Sequence, residues 1–186
     1  MGKIRSSWEI AQEKADELGD LSQEEQLKQK EERCLPIGNL LADNYLDNHD
    51  AVWLEKELDK YPVEDRDLIR QVALLRLIDY INLRSVLVFD NLVLGILSLT
   101  KMDSKVKEIL GKLKELIYEY GQVEDVERQK MESTGREILH RQRISGTAVK
   151  MINARAREDW QNKLNELAYP FGVQINSFKQ KLLALV

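Results

Sequence analysis

Residue types able to carry chemistry are sparse in this chain, and they fall in three places. Glu137 and His140 form a Glu-x-x-His step, which on a helix sets a carboxylate and an imidazole on one face, as in the ligand pairs of di-iron bundles. Such a site needs a second step and two more glutamates, and the other histidine, His49, has Leu46 three residues before it. Asp43, Asn44, Asp47, Asn48, His49 and Asp50 gather oxygens as a calcium loop does. A loop begun at Asp43 or at Asp47 has Leu54 or Leu58 at its twelfth position, where the EF-hand requires Glu. The stretch is better read as a turn in which Asp50 caps the next helix. The third place is basic. Arg136, Arg141, Arg143, Lys150, Arg155 and Arg157, opposed by Glu137 alone, give net +5 over residues 136–157, enough to attract phosphates. No aromatic is interleaved before Trp160, so the same residues also read as a solvated face complementing an acidic N-terminal half.

No phosphate-binding loop, dinucleotide fingerprint, Cys/His metal spacing or nucleophile elbow is present. The expectation is a protein that is not an enzyme, with no catalytic, cofactor-binding or metal-binding residues and no cofactor. The lone cysteine, Cys34, has no partner for an internal disulfide, and no charged-then-apolar leader opens the chain, which points to a reducing cytoplasm. Met1, Gly2 and Ser6 match the short myristoylation pattern, although Ser6 with Glu9 is equally a helix-capping box. The net charge of -4 hides an asymmetry, with -9 over residues 1–67 and +5 over the remainder, so opposite ends could attract each other or different partners.

The elements that must position these groups are helical. Of 186 residues, 43% are hydrophobic, 32% charged and 6% aromatic, and only 9 Gly and 3 Pro interrupt helix-forming Leu, Glu, Lys, Gln and Arg. The fold class is all-α, a compact helical head with a long charged coiled-coil arm folded as an antiparallel hairpin. Residues 67–100 hold the densest apolar run and should form the core as two buried helices joined near Asn82–Ser85, with a strand at Val86–Phe89 as the local alternative. Asp79 is expected inside that core, paired with Arg76 or Arg84 or facing a polar seam. The longest charge-free piece of that run, Asn91–Thr100, is half of the ~20 residues that a membrane span needs.

Four regions follow: an N-terminal helical arm over 1–34, a helical core over 35–103, a coiled-coil arm over 104–169 and a C-terminal tail over 170–186 that docks on the core. The first arm carries Trp8, Ala11, Ala15 and Leu18 on one stripe, ends at Gly19, and is followed by a charged helix that Pro36 bends or restarts. The coiled-coil seam is Val106, Ile109, Leu113, Leu116, Tyr120 and Val123, spaced 3, 4, 3, 4, 3, with Leu110 and Ile117 broadening it. It weakens from Glu124 to Gln142 and returns as Val149, Ile152, Ala156, Trp160, Leu164 and Leu167. The hairpin tip is placed at Ser133–Gly135, with Ser145–Thr147 as the alternative, and Pro170 and Gly172 are expected to stop the second arm.

Lys3, Ile4, Arg5, Ser6 and Ser7, then Glu9, Ile10, Ala11, Glu13 and Lys14, with the segment from Asn39 to Tyr45 and Leu46 and the turn at Ile81, Asn82 and Leu83, resemble a family of uncharacterised bacterial cytoplasmic helical proteins. The chain departs from that pattern at Pro36 and in its short tail. The resemblance implies a helical fold and no known activity or site. The leading expectation for function is a non-catalytic helical interaction or scaffold protein with an unidentified protein partner, self-associating through exposed apolar stripes. A nucleic-acid or ribonucleoprotein binder working through residues 136–157 is the alternative, and an apolar-ligand-binding bundle is the second alternative.

Overall fold

The computed structural model describes residues 23–144 and 158–185. Six α-helices and one 3-10 turn account for them: α1 (Gln23–Asn48), α2 (Ala51–Leu58), α3 (Val63–Tyr80), the 3-10 turn Ser85–Leu87, α4 (Phe89–Leu99), α5 (Ser104–Arg141) and α6 (Glu158–Leu183). No strand occurs among the described residues, so Val86–Phe89 is a 3-10 turn running into a helix. The capping box at Ser6 and Glu9, the myristoylation pattern, the Trp8 stripe, the seam positions Val149, Ile152 and Ala156, and the alternative tip at Ser145–Thr147 lie outside the described residues.

Cap and turn chemistry sets the boundary between α1 and α2 and that between α4 and α5. His49 takes a left-handed φ of 57°, and the Asp50 carboxylate accepts from the Val52 and Trp53 amides at 3.0 Å, so the oxygen-rich turn does cap α2. After α4, Lys101 and Met102 are both left-handed, and the Met102 amide reaches back to the Leu97 carbonyl at 2.8 Å. Asp103 then caps α5 through the Lys105 and Val106 amides.

Contacts between α1 and α3 advance together along both helices. Arg33 meets Asp65, Gly38 meets Ile69 and Val72, and Asp43 meets Arg76, so the two helices run parallel and α2 carries the chain back between their ends. The core is built on this pair. Cys34, Leu41, Ala42 and Tyr45 of α1 pack with Ile69, Ala73, Leu77 and Ile78 of α3, Leu92 and Ile96 of α4, and Val106, Leu110, Leu113 and Ile117 of α5. Cys34 is wholly buried there. The Tyr45 hydroxyl donates to the Asn91 carbonyl at 2.5 Å, and burial raises its pKa. Pro36 lies inside α1 on its exposed side, so the helix absorbs a missing donor instead of restarting.

Asp79 is not in the core. Its side chain is 82% exposed and 3.9 Å from Lys179, while Arg76 pairs with Asp43 at 3.0 Å. The reason is register, because α3 turns Ile69, Val72, Ala73, Leu77 and Ile78 inward, leaving Leu75, Arg76, Asp79 and Tyr80 outward. Among the described residues the buried carboxylates are Asp65 of α3 and Glu127 of α5.

α5 and α6 form an antiparallel intrachain pair. Tyr120 stacks edge-on against Phe171 at 5.4 Å, Glu127 is ion-paired with Lys163, and Met131 packs with Trp160 and Leu164. At 1.5 Å per residue the 38 residues of α5 extend about 57 Å. The helix runs through Ser133–Gly135, so that stretch is not the tip. The Ser133 and Thr134 hydroxyls donate to the Lys130 carbonyl and Gly135 is buried, so all three are accommodated within the helix. α5 ends where Arg143 turns left-handed and the Ile144 amide reaches the Leu139 carbonyl.

Pro170 and Gly172 do not stop α6, which continues to Leu183 and buries Ile175 and Leu182 in the main core. The Lys179 ammonium donates to the Asp79 carbonyl at 2.7 Å, fastening α6 to the end of α3. Met131, Trp160 and Leu164 form a second, smaller apolar cluster, separate from the main core. Glu124 and Glu127 stand on α5 between that cluster and Tyr120.

Candidate protein-interaction surface

The loop after α3 creates an apolar groove on the head. Ile81 leaves the helix in extended conformation, the Asn82 side-chain carbonyl accepts from the Arg84 amide at 2.8 Å, and the buried Ser85 hydroxyl bonds the Asn82 backbone. This locked turn starts the 3-10 segment early, so the run Val86–Phe89 is only partly absorbed into the core. Phe89 is buried, Val86 is half-exposed and Leu87 is 94% exposed. Sequence periodicity placed Leu87 among buried residues. The turn rotates it outward.

Opposite this segment stands α5. Val86, Phe89 and Asp90 face Gly111, Lys114, Glu115, Ile117 and Tyr118 across an open cleft of about 410 Å³. Its floor is Phe89 and Ile117, both buried, and its rim carries the 64%-exposed ring of Tyr118. Lys114 and Asp90 bridge the two walls at 2.6 Å, an exposed pair worth little to stability. Among the described residues, no hydrogen bond or ion pair reaches Glu115 or, one turn further on, Glu119. Sequence reading missed this groove. Tyr118 on an otherwise polar helix face, next to Gly111, was the signal that could have found it.

A second cleft, of about 350 Å³, lies where α5 and α6 leave the head, lined by Leu83, Arg84, Tyr120, Glu124, Gln161 and Leu164 among others. Its lining is half polar and half apolar, and its carboxylate, Glu124, already pairs with Arg128 at 2.8 Å. Burial, followed by the nearby Glu124, raises the Tyr120 pKa. Deeper in the same seam, the Lys163 ammonium hydrogen-bonded to Glu127 holds that carboxyl below its usual range, assisted by Lys130.

The basic residues are only partly within view. Arg136 is paired with Glu132 at 2.6 Å and Arg141 with Glu137 at 3.9 Å, while Arg143 occupies the left-handed position after α5. Lys150, Arg155 and Arg157 lie outside the described residues. Two of the three described cations are thus offset by carboxylates on the same helix. His140 is exposed, and the carboxylate of its Glu-x-x-His step, Glu137, is the one bound to Arg141. Among the described residues, no group of three or more His, Cys, Asp or Glu could hold a metal ion. No described helix is long and apolar enough to cross a membrane.

Comparison with protein-family models, with curated proteins and with solved structures finds no match. The resemblance to bacterial helical proteins therefore rests solely on the residues quoted for it, and function must be argued from geometry.

Proposed function

We propose that this chain is a non-catalytic helical interaction protein of the bacterial cytoplasm, which docks a protein partner on the head and uses the α5–α6 pair as an antiparallel coiled-coil spacer. The observation that carries this reading is Leu87, 94% exposed on a turn held by Asn82 and Ser85, beside an open apolar cleft. A single exposed aliphatic side chain means little, but one on an ordered support that adjoins further apolar surface, here Val86 and the cleft it lines, supports an interaction site. Self-association through other exposed apolar positions, such as Leu40 and Tyr169, belongs to the same proposal.

The nucleic-acid reading has less behind it, because Arg136 and Arg141 are engaged by glutamates. The ligand-bundle reading is weakened by the openness of the apolar cleft, which an enclosed ligand would not require.

The test is a photo-cross-linking residue placed at position 87 and, as control, at the exposed polar position 56, in cells that express the protein. Position 87 should give a discrete protein adduct that Tyr118→Asp abolishes. Adducts that are absent, or that form equally at both positions and ignore Tyr118→Asp, would refute the role of the head.

A further inference from the structure

Three features of the groove point to the chemistry of what it receives. The first is its apolar floor, Phe89 and Ile117, rimmed by Val86 and Tyr118, which suits a row of aliphatic or aromatic side chains. The second is Gly111. It sits mid-helix on the groove wall, and a Cβ built there would meet nothing within 4 Å, so the internal packing of this chain gives no reason for a residue that weakens a helix. Gly121 and Gly172 are equally open but do not line the groove, so the glycine acquires meaning only together with the cleft. The third is charge. Glu115 and Glu119 stand one turn apart on the exposed face of α5, a like-charge spacing that destabilises a helix, and no cation within the described residues relieves it. Lys112 is occupied by Glu108 and Lys114 by Asp90.

We infer that the groove binds a basic amphipathic helix of a partner protein, its apolar face laid over Phe89 and Ile117, its backbone crossing close above Gly111, and its lysine or arginine side chains set against Glu115 and Glu119. The inference rests on the interaction role proposed above and adds the class of partner. Helix-in-groove docking needs an apolar trough, a point of close backbone approach and flanking charges of opposite sign, and this wall of α5 supplies all three. A nucleic acid is disfavoured by the acidic rim, and an acidic helix would meet two unneutralised carboxylates.

The test uses the full chain and two fluorescein-labelled synthetic helices, one with leucines on one face and lysines on the other, and a counterpart with glutamate in place of lysine. The lysine helix should bind about ten-fold or more tightly than the glutamate helix. Its amide chemical-shift changes should centre on residues 86–90 and 111–119. Gly111→Ala should weaken that binding about ten-fold while raising the thermal midpoint, so that lost binding is not lost folding. Glu115→Gln combined with Glu119→Gln should weaken binding and flatten its salt dependence. Equal binding of both helices, shifts elsewhere on the molecule, or Gly111→Ala binding like the parent would overturn the inference. So would a dimer that Gly111→Ala dissociates, since the occupant would then be a second copy. If position 87 still cross-links a protein in cells while the two helices bind alike, the interaction role stands and this chemistry falls. If neither adduct nor peptide binding is seen, both fall.

Discussion

Gly38→Ala and Gly111→Ala are the same chemical change with opposite expected signs, and the pair tests the packing of the head. At Gly38, a new Cβ would lie 2.6 Å from both Cβ and Cγ1 of Val72 and 2.9 Å from the Ile69 carbonyl oxygen. None of these is the far end of a flexible side chain. The Val72 Cβ is fixed to the backbone and the carbonyl is backbone, so relief requires α1 and α3 to move apart. Overpacking of this kind costs up to about 3 kcal/mol, and alanine's better helix propensity returns about 1 kcal/mol, leaving a net loss of about 2 kcal/mol. For a chain of this length each kcal/mol moves the thermal midpoint by about 2–4 °C, so a fall of about 4–8 °C is expected. At Gly111 the Cβ meets nothing, and the midpoint should rise by about 2–4 °C for a gain of about 1 kcal/mol. Thermal unfolding followed by circular dichroism at 222 nm measures both. An unchanged or raised midpoint for Gly38→Ala would mean that α1 and α3 do not approach as closely as described, and the parallel pairing would have to be abandoned.

Tyr45→Phe removes the hydroxyl that bonds the Asn91 carbonyl, and should cost about 1 kcal/mol in urea denaturation; no change would show that bond to be replaceable by water. Ile109→Asp with Leu116→Asp places carboxylates against the core and should lower stability by at least about 3 kcal/mol while releasing α6. Intact stability with merely a dimer-to-monomer change would show the seam to be intermolecular. Glu127 titrates below its ordinary value because of Lys163, so its contribution is fully present above the unfolded-state value of about 4.3 and is lost as the pH falls through the lower folded value. Trp160 emission should therefore shift toward that of exposed indole in this acid range in the parent protein, and Glu127→Gln should remove the dependence; identical profiles would place the control elsewhere.

Much of the architecture could be read from residue spacing, and the failures have identifiable causes. The all-helical class, the core around residues 67–100, the cap at Asp50 and the docking of Ile175 and Leu182 follow from apolar periodicity and turn chemistry, which act locally. Most of the seam is buried as expected, Val106, Leu113, Leu116 and Tyr120 together with Leu110 and Ile117, but Ile109 is only partly covered and Val123 is 38% exposed, and the buried face then passes through Glu127 to Met131. A carboxylate at a core position looks like the end of a stripe until Lys163, 36 residues later in sequence, is seen to neutralise it. Pro36 and Pro170 were read as breaks because propensity counts only the local cost, whereas burial of Cys34, Gly38 and Leu41 in α1, and of Leu164 and Ile175 in α6, holds each helix together across its proline. The groove was least legible, because it depends on how one locked turn sets Val86 and Phe89 against α5.

The two apolar clusters give the hairpin an uneven resistance to opening. The turns of α5 from Val106 to Ile117 are bound into the main core, so their amide hydrogens should exchange with solvent only when the whole head unfolds. Beyond the charged layer at Glu124 and Glu127, the pairing among the described residues rests on Met131, Trp160 and Leu164, which is little apolar surface to hold two helices together. That outer portion can part and close again at far lower free energy than the head. A pull applied near Arg141 would therefore be taken up by the outer turns first, and the groove beside Leu87 would keep its shape until the charged layer gave way.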